Sequence, residues 1–196
     1  MIRAPPGPGK VSPAAIRAAR DQANELLEIF AAVLRITEVE GLAERRQLSA
    51  VDLSALLEEM ADTYRPPFEA EGRRLLTDIP AGLTVRGDRR LLAQAVSNLL
   101  ENVLRHTPAG TAATLSASGS ADRIDVTVTD DGPGVADADA DRLFQRFARA
   151  EVSRTTAGHG LGLALVKAIA LGHGGDAELT RPQSGFGVTL RLPRLR

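Results

Sequence analysis

The run Asn98-Leu99-Leu100-Glu101-Asn102 puts two carboxamides four residues apart, inside a stretch where Leu92, Val96, Leu99, Leu100, Val103 and Leu104 recur with helical spacing. On a helix, residues three and four apart stack, so Asn98, Glu101, Asn102 and Arg105 share the face opposite the apolar one. Most such faces are simply solvated. Two Asn at this spacing are less ordinary, because Asn is a mediocre helix former. Carboxamide oxygens suit a hard cation such as magnesium, which keeps its waters and binds chiefly through phosphates. Arg105, one turn on, can reach a phosphate oxygen.

Two further clusters follow. Asp130-Asp131-Gly132-Pro133-Gly134 ends a stretch that alternates like a strand. It is a good turn sequence, yet the Asp130 carboxylate can also accept from an exocyclic amine such as that of adenine. Gly132 and Gly134 would let backbone pass close to a flat base. Gly158-His159-Gly160-Leu161-Gly162-Leu163 runs into an apolar helical pattern over 161–171. Amides at a helix mouth approached through glycines form an anion site, naturally used for phosphate. A dinucleotide-binding reading fits poorly, since that motif belongs after an N-terminal strand. Pro8-Gly9-Lys10-Val11 lacks the upstream Gly and trailing Ser/Thr of a P-loop.

Positioning these clusters takes a regular frame. Over 13–43, Ile16, Ala19, Ala23, Leu26, Phe30, Val33 and Thr37 step by threes and fours, a seam that wants a partner helix; one amphipathic helix lying on its own domain is the plainer alternative. Asp52 or Ser54 can cap a helix running to about residue 70. Strands are expected near 74–78 and 83–86 with Pro80 and Gly82 in the turn between, then a helix from an Asp88 cap to His106. A hairpin over 114–118 and 123–129, a helical turn near 141–144, the helix over 161–171, and strands near 177–180 and 187–192 complete the order. Helices kept apart from a largely antiparallel sheet predict an α+β, two-layer α/β sandwich.

Composition narrows the classes further. The 196 residues are 43% hydrophobic and 25% charged, with 3% aromatic, so the core is aliphatic. A formal charge of -1 gives no pull toward nucleic acid or anionic membrane. The absence of Cys excludes disulfides, thiol catalysis and Cys-ligated zinc. His106, His159 and His173 lack metal-ligand spacing. No apolar run approaches the roughly 20 residues of a membrane span, and residues 1–13 do not read as a secretory signal. A cytoplasmic setting is the expectation.

With these residues in view, the chain resembles the catalytic ATP-binding domain of bacterial sensor histidine kinases, of the Bergerat fold shared with gyrase. NLLENVLRHTP (98–108) resembles the N box, VTDDGPGV (128–135) the G1 box, LFQRF (143–147) the F box, and 158–163 the G2 box. LRITEVEGLAERR (34–46) is similar to the end of the second dimerisation helix. The resemblance divides the chain into a flexible 1–12, a partial dimerisation helix over 13–46 and a catalytic domain over 47–196. It implies ATP and Mg2+ as ligands. Asn102, helped by Asn98, would hold the metal, and Asn98, Asn102 and Arg105 would carry the catalytic positioning. Arg105 and His106 would contact phosphate, and Asp130 would accept from adenine between Gly132 and Gly134. Gly158, His159, Gly160, Leu161, Gly162 and Leu163 would cradle phosphate, and Phe144 and Phe147 would anchor a lid over about 148–158. The implied reaction moves the γ-phosphoryl group to a His and on to an Asp of a response regulator receiver domain. A homodimer through the N-terminal helix is implied as well.

Two departures stand out. His159 occupies a position where a small hydroxyl residue is commoner. No upstream His with the acceptor motif occurs, so the chain as given is expected to bind ATP without phosphorylating itself; it is either a truncated kinase or a catalytic module that acts in trans on a separate histidine-bearing helix. An anti-sigma-type serine kinase and a non-catalytic nucleotide-binding dimerisation scaffold are the alternatives. A gyrase-type ATPase would need Glu where Asn98 stands.

Overall fold

A computed structural model describes residues 16, 48–136, 142–145, 160–182 and 184–195. The expected seam over 13–43 lies outside these residues except for Ile16, which is helical and exposed.

Strand β1 (Ser49–Asp52) leads directly into helix α1 (Leu53–Ala70), whose N-cap is Asp52; its carboxylate accepts from the Ala55 N–H at 3.0 Å. Pro66 and Pro67 lie within α1 and remove two N–H donors. The helix continues because Phe68, fully buried, is drawn into the core. Strands β2 (Arg74–Asp78) and β3 (Thr84–Gly87) follow, then helix α2 (Arg89–His106). Strands β4 (Ala112–Gly119) and β5 (Arg123–Asp130) form the expected hairpin. Helix α3 (Gly162–Gly172) and strands β6 (Asp176–Thr180) and β7 (Phe186–Pro193) complete the described chain.

The larger sheet has the order β2-β4-β5-β7-β6 and is antiparallel except for β2 beside β4. Leu75, Leu115, Val126, Val128, Val188 and Leu190 point inward from it and are buried. They meet Leu56 and Leu57 of α1, Leu92, Val96, Leu99 and Leu100 of α2, and Leu165, Val166 and Ile169 of α3 in one core. The architecture is therefore the expected two-layer α+β sandwich, with α2 packed between α1 and α3.

The strands flanking Pro80 and Gly82 form where expected, and their partners lie in different sheets. β2 joins the large sheet, while β3 pairs with β1 in a separate two-stranded sheet. The intervening turn is stitched to the start of α1: Ser54 Oγ donates to Pro80 O at 2.7 Å and accepts from Leu83 N–H at 3.0 Å, and Leu53 N–H donates to Leu83 O at 2.8 Å. The last helix begins at Gly162 rather than 161, with Leu161 as its cap residue.

Candidate nucleotide site

Helix α2 carries the two carboxamides. Asp88 caps it, accepting from Arg90 N–H at 2.9 Å and Leu91 N–H at 3.3 Å. Burial of Leu92, Val96, Leu99, Leu100 and Val103 sets its rotation. Asn98 and Asn102 consequently sit half-buried, while Arg105 and His106 are exposed in the last turn. Asn98 Oδ1 accepts from Gln94 Nε2 at 3.3 Å, and its buried Nδ2 has no hydrogen-bond partner among the described residues. Such an atom calls for an explanation in the folded protein. Glu101, grouped with the Asn pair by spacing, turns toward α1 instead. It accepts from Tyr64 Oη at 2.9 Å and Ser97 Oγ at 3.1 Å, and Tyr64 also bonds Ser97. Burial pushes the Tyr64 hydroxyl's pKa up.

Asp130 is the last residue of β5, opposite Ala113 on β4 and Phe186 on β7. It is 7% exposed, and Oδ1 accepts from Gly132 N–H at 2.9 Å. Desolvation raises its pKa above the ordinary carboxylate value, against the opposing effect of backbone N–H donors from Gly132 and Phe186. One carboxylate face is thus bound by the turn in a dry corner, an environment that favours a ligand donor. Gly132 fits where a side chain would not: a Cβ there would stand 2.8 Å from Asp130 Oδ1 and 3.0 Å from Thr107 Cγ2. Gly134 (φ 72) is pressed on the β6–β7 loop, where its Cβ would lie 2.7 Å from Gly185 O.

Helix α3 packs on α2, and its mouth follows Gly160 (φ 65). Leu161 is buried and supplies no side-chain cap, so the first amides of α3 carry no side-chain acceptor from that residue. Gly162 is exposed with open space where a Cβ would go, and Leu163 is half-buried. Phe147, Gly158 and His159 lie outside the described residues. Phe144 is half-buried against the core within the turn over 142–144, with Lys167 Nζ 5.5 Å from its ring centroid. Lys167 also donates to Ala177 O at 2.9 Å and pairs with Asp176, fixing this turn to α3 and β6.

His173 is not free chemistry. Its Nε2 accepts from Asp88 N–H at 3.0 Å, which leaves the ring proton on Nδ1, 2.7 Å from Ile169 O. A shallow recess lined by Val135, Leu179, Thr180, Arg181, Pro182, Gly185 and Phe186 opens beside the Asp130 turn, with no lining from α2 or α3. No group of three or more His, Cys, Asp or Glu among the described residues could hold a metal ion. No described helix is long and apolar enough to cross a membrane. Sequence reasoning passed over Thr107, which touches Gly132, and Gly185, whose notional Cβ would stand 1.8 Å from Asp130 O. Thr107 lies inside the 98–108 run but has no site role there, and Gly185 lies in no motif; both matter through a neighbour distant in sequence.

A carboxamide-bearing helix, a second helix with a glycine-led mouth and a buried acid at a sheet end define an ATPase-type two-layer domain. Residues 87–196 match the histidine kinase-, DNA gyrase B-, and HSP90-like ATPase family, and the chain belongs to that family. It is similar to the sensor-like histidine kinase SenX3 of Mycolicibacterium smegmatis, 33% identical over 88% of this chain and 46% of that protein. The signal transduction histidine-protein kinase BaeS of Escherichia coli K12 is 34% identical over 95% of this chain and 41% of its own. The crystal structure of full-length ShkA in complex with AMPPNP superposes with a TM-score of 0.73 at 26% identity, covering 92% of this chain and 38% of that one. The chain spans less than half the length of the curated relatives it matches here.

Proposed function

We propose that this chain is the ATP-binding catalytic region of a sensor histidine kinase, performing Mg2+-dependent transfer of the ATP γ-phosphoryl group to a histidine for relay to a response regulator receiver domain. The observation that carries this reading is Asp130, a buried carboxylate with one oxygen bound by its own turn, at the sheet end next to the helix that bears Asn98 and Asn102.

Asp130 accepts from the adenine amino group, and Gly132 and Gly134 leave room for the base. Asn98 and Asn102 present carboxamide oxygens toward a magnesium ion. The donor set fits that ion: neutral hard oxygens, too few for an all-protein cage, leave the remaining positions to phosphate and water. The unpartnered Nδ2 of Asn98 then has a phosphate or water oxygen to bond. Arg105 neutralises phosphate charge, His106 contacts phosphate, and the amides after Gly158, His159, Gly160, Leu161, Gly162 and Leu163 cradle it. Phe144, with Phe147, anchors the lid. Bound ATP supplies the phosphoryl group, and the protein's own part is positioning and charge neutralisation.

His173 has both ring nitrogens engaged and is no free acceptor; with His106 and His159 read as phosphate contacts, the acceptor in this reading is a histidine on another helix. Residues 13–46 form the dimerisation element and 47–196 the catalytic domain, in a cytoplasmic setting. The named sensor kinases among the relatives favour this over a serine kinase. The test is incubation with γ-labelled ATP and magnesium, with and without a separate histidine-bearing acceptor helix. Label is expected on the helix as acid-labile phosphohistidine. No transfer, or transfer to serine, refutes the assignment.

A further inference from the structure

Arg73 is a buried cation that belongs to none of the sequence motifs. It is 8% exposed, and all three guanidinium nitrogens are used. Nε donates to Thr107 Oγ1 at 3.1 Å, Nη2 donates to the Thr107 carbonyl, and Nη1 pairs with Glu71, whose carboxylate is half-exposed. A rigid fork is what lets one side chain grip a hydroxyl and a carbonyl of the same residue. Burying a cation is costly, and an apolar residue of similar volume would fill the space at lower desolvation cost.

The gripped residue is a junction. Thr107 is the C-cap of α2, extended at φ -109, ψ 150, buried, with Oγ1 donating back to Val103 O at 2.8 Å. Its methyl faces Gly132, where a Cβ would stand 3.0 Å from Thr107 Cγ2 and 3.4 Å from its Cβ. Asp130 Oδ1, bonded to the Gly132 amide, stands 2.8 Å from that same Cβ position. The threonine methyl and the carboxylate therefore close on one face of Gly132. Asp131 is tied to Ala112 by two bonds, Asp131 N–H to Ala112 O at 3.1 Å and Ala112 N–H to Asp131 Oδ1 at 2.7 Å. These fix the start of the turn to β4 but place no limit on Gly132 from the α2 side. That limit comes from Thr107.

We propose that Arg73 is a positioning residue for base selection: by clamping Thr107 as a wedge against Gly132, it holds the Asp130 carboxylate aimed at an exocyclic amine on the purine. The inference rests on the adenine-acceptor reading of Asp130 and extends it to a residue 57 positions upstream that touches no ligand.

The test compares ATP with ITP, in which a carbonyl replaces the amine, by calorimetry with magnesium on the full chain. Wild type should prefer ATP. In Arg73→Met and in Thr107→Ser the ATP:ITP preference should fall about tenfold through weaker ATP binding, with ITP affinity unmoved, as for loss of one aligned hydrogen bond to a charged group. General loosening would weaken both nucleotides in step and leave the ratio intact. Thr107→Ser keeps the hydroxyl and carbonyl that Arg73 grips and removes only the methyl, so it decides the matter if Arg73→Met does not fold. An unchanged ratio, or parallel loss of both nucleotides, overturns the proposal. If wild type itself does not separate ATP from ITP, the Asp130 reading fails and this inference with it; wild-type discrimination with unmoved variants sinks only the role of Arg73.

Discussion

Asp130 bears opposing demands. Desolvation raises its pKa in the folded chain, so the native state binds protons more tightly than the unfolded one. Stability contributed by the protonated form is fully present below the unfolded value of 3.8 and is lost as pH rises through the raised folded value. At neutral pH the carboxylate therefore burdens the ligand-free fold. Asp130→Asn should stabilise the empty protein by about 1 kcal/mol near pH 7, with the gain shrinking as pH falls through the raised folded value and gone below 3.8, while ATP binding weakens. Thermal melts across pH, paired with calorimetry, check both halves; a variant less stable at pH 7 contradicts the burial argument. Asn102→Ala is expected to abolish the magnesium-dependent part of ATP affinity and to spare metal-free ADP binding. Equal losses for both would remove Asn102 from the metal. The types of these residues were readable because each motif is local. Arg73 and Thr107 were not, since their importance lies in a contact between positions 34 apart.

Among the elements, α2 shows how local rules position chemistry. Its cap, Asp88, also donates its backbone N–H to His173 at the end of α3, so one residue starts one helix and ties off another. Asp88→Ala removes the carboxylate cap and should cost about 1 kcal/mol in chemical denaturation, leaving the His173 bond in place. A loss within error would mean that α2 is held by packing alone. The helices and the β4–β5 hairpin were legible because caps, 3.6-residue periodicity and alternation are written within a dozen residues. Strand β1 was not: it has four residues and only Val51 is buried, too short for a period to show. The fate of β2 and β3 was also hidden. Both look like strands, but Ser54 claims the turn between them, and no local pattern reveals that β2 runs parallel to β4.

At the scale of the whole molecule, the apolar seam over 13–43 makes self-association the expected state. Light scattering should report a dimer, and a clean monomer at micromolar concentration would remove the dimerisation role proposed for 13–46. The sandwich itself follows from composition, since an aliphatic, alternating set of strands needs a helical layer to cover one face. The order of strands within it does not, because β7 enters between β5 and β6 only through long-range pairing.

That insertion has a bearing on biosynthesis. The strand lying alongside Asp130 is among the last parts of the described chain to leave the ribosome, with Phe186 directly across from it. Until that strand emerges, β5 presents a bare edge and the Asp130 corner has one wall instead of two. A polypeptide released short of residue 186 would keep that edge unpaired, inviting association with other exposed strands, and would leave Asp130 covered by β4 alone.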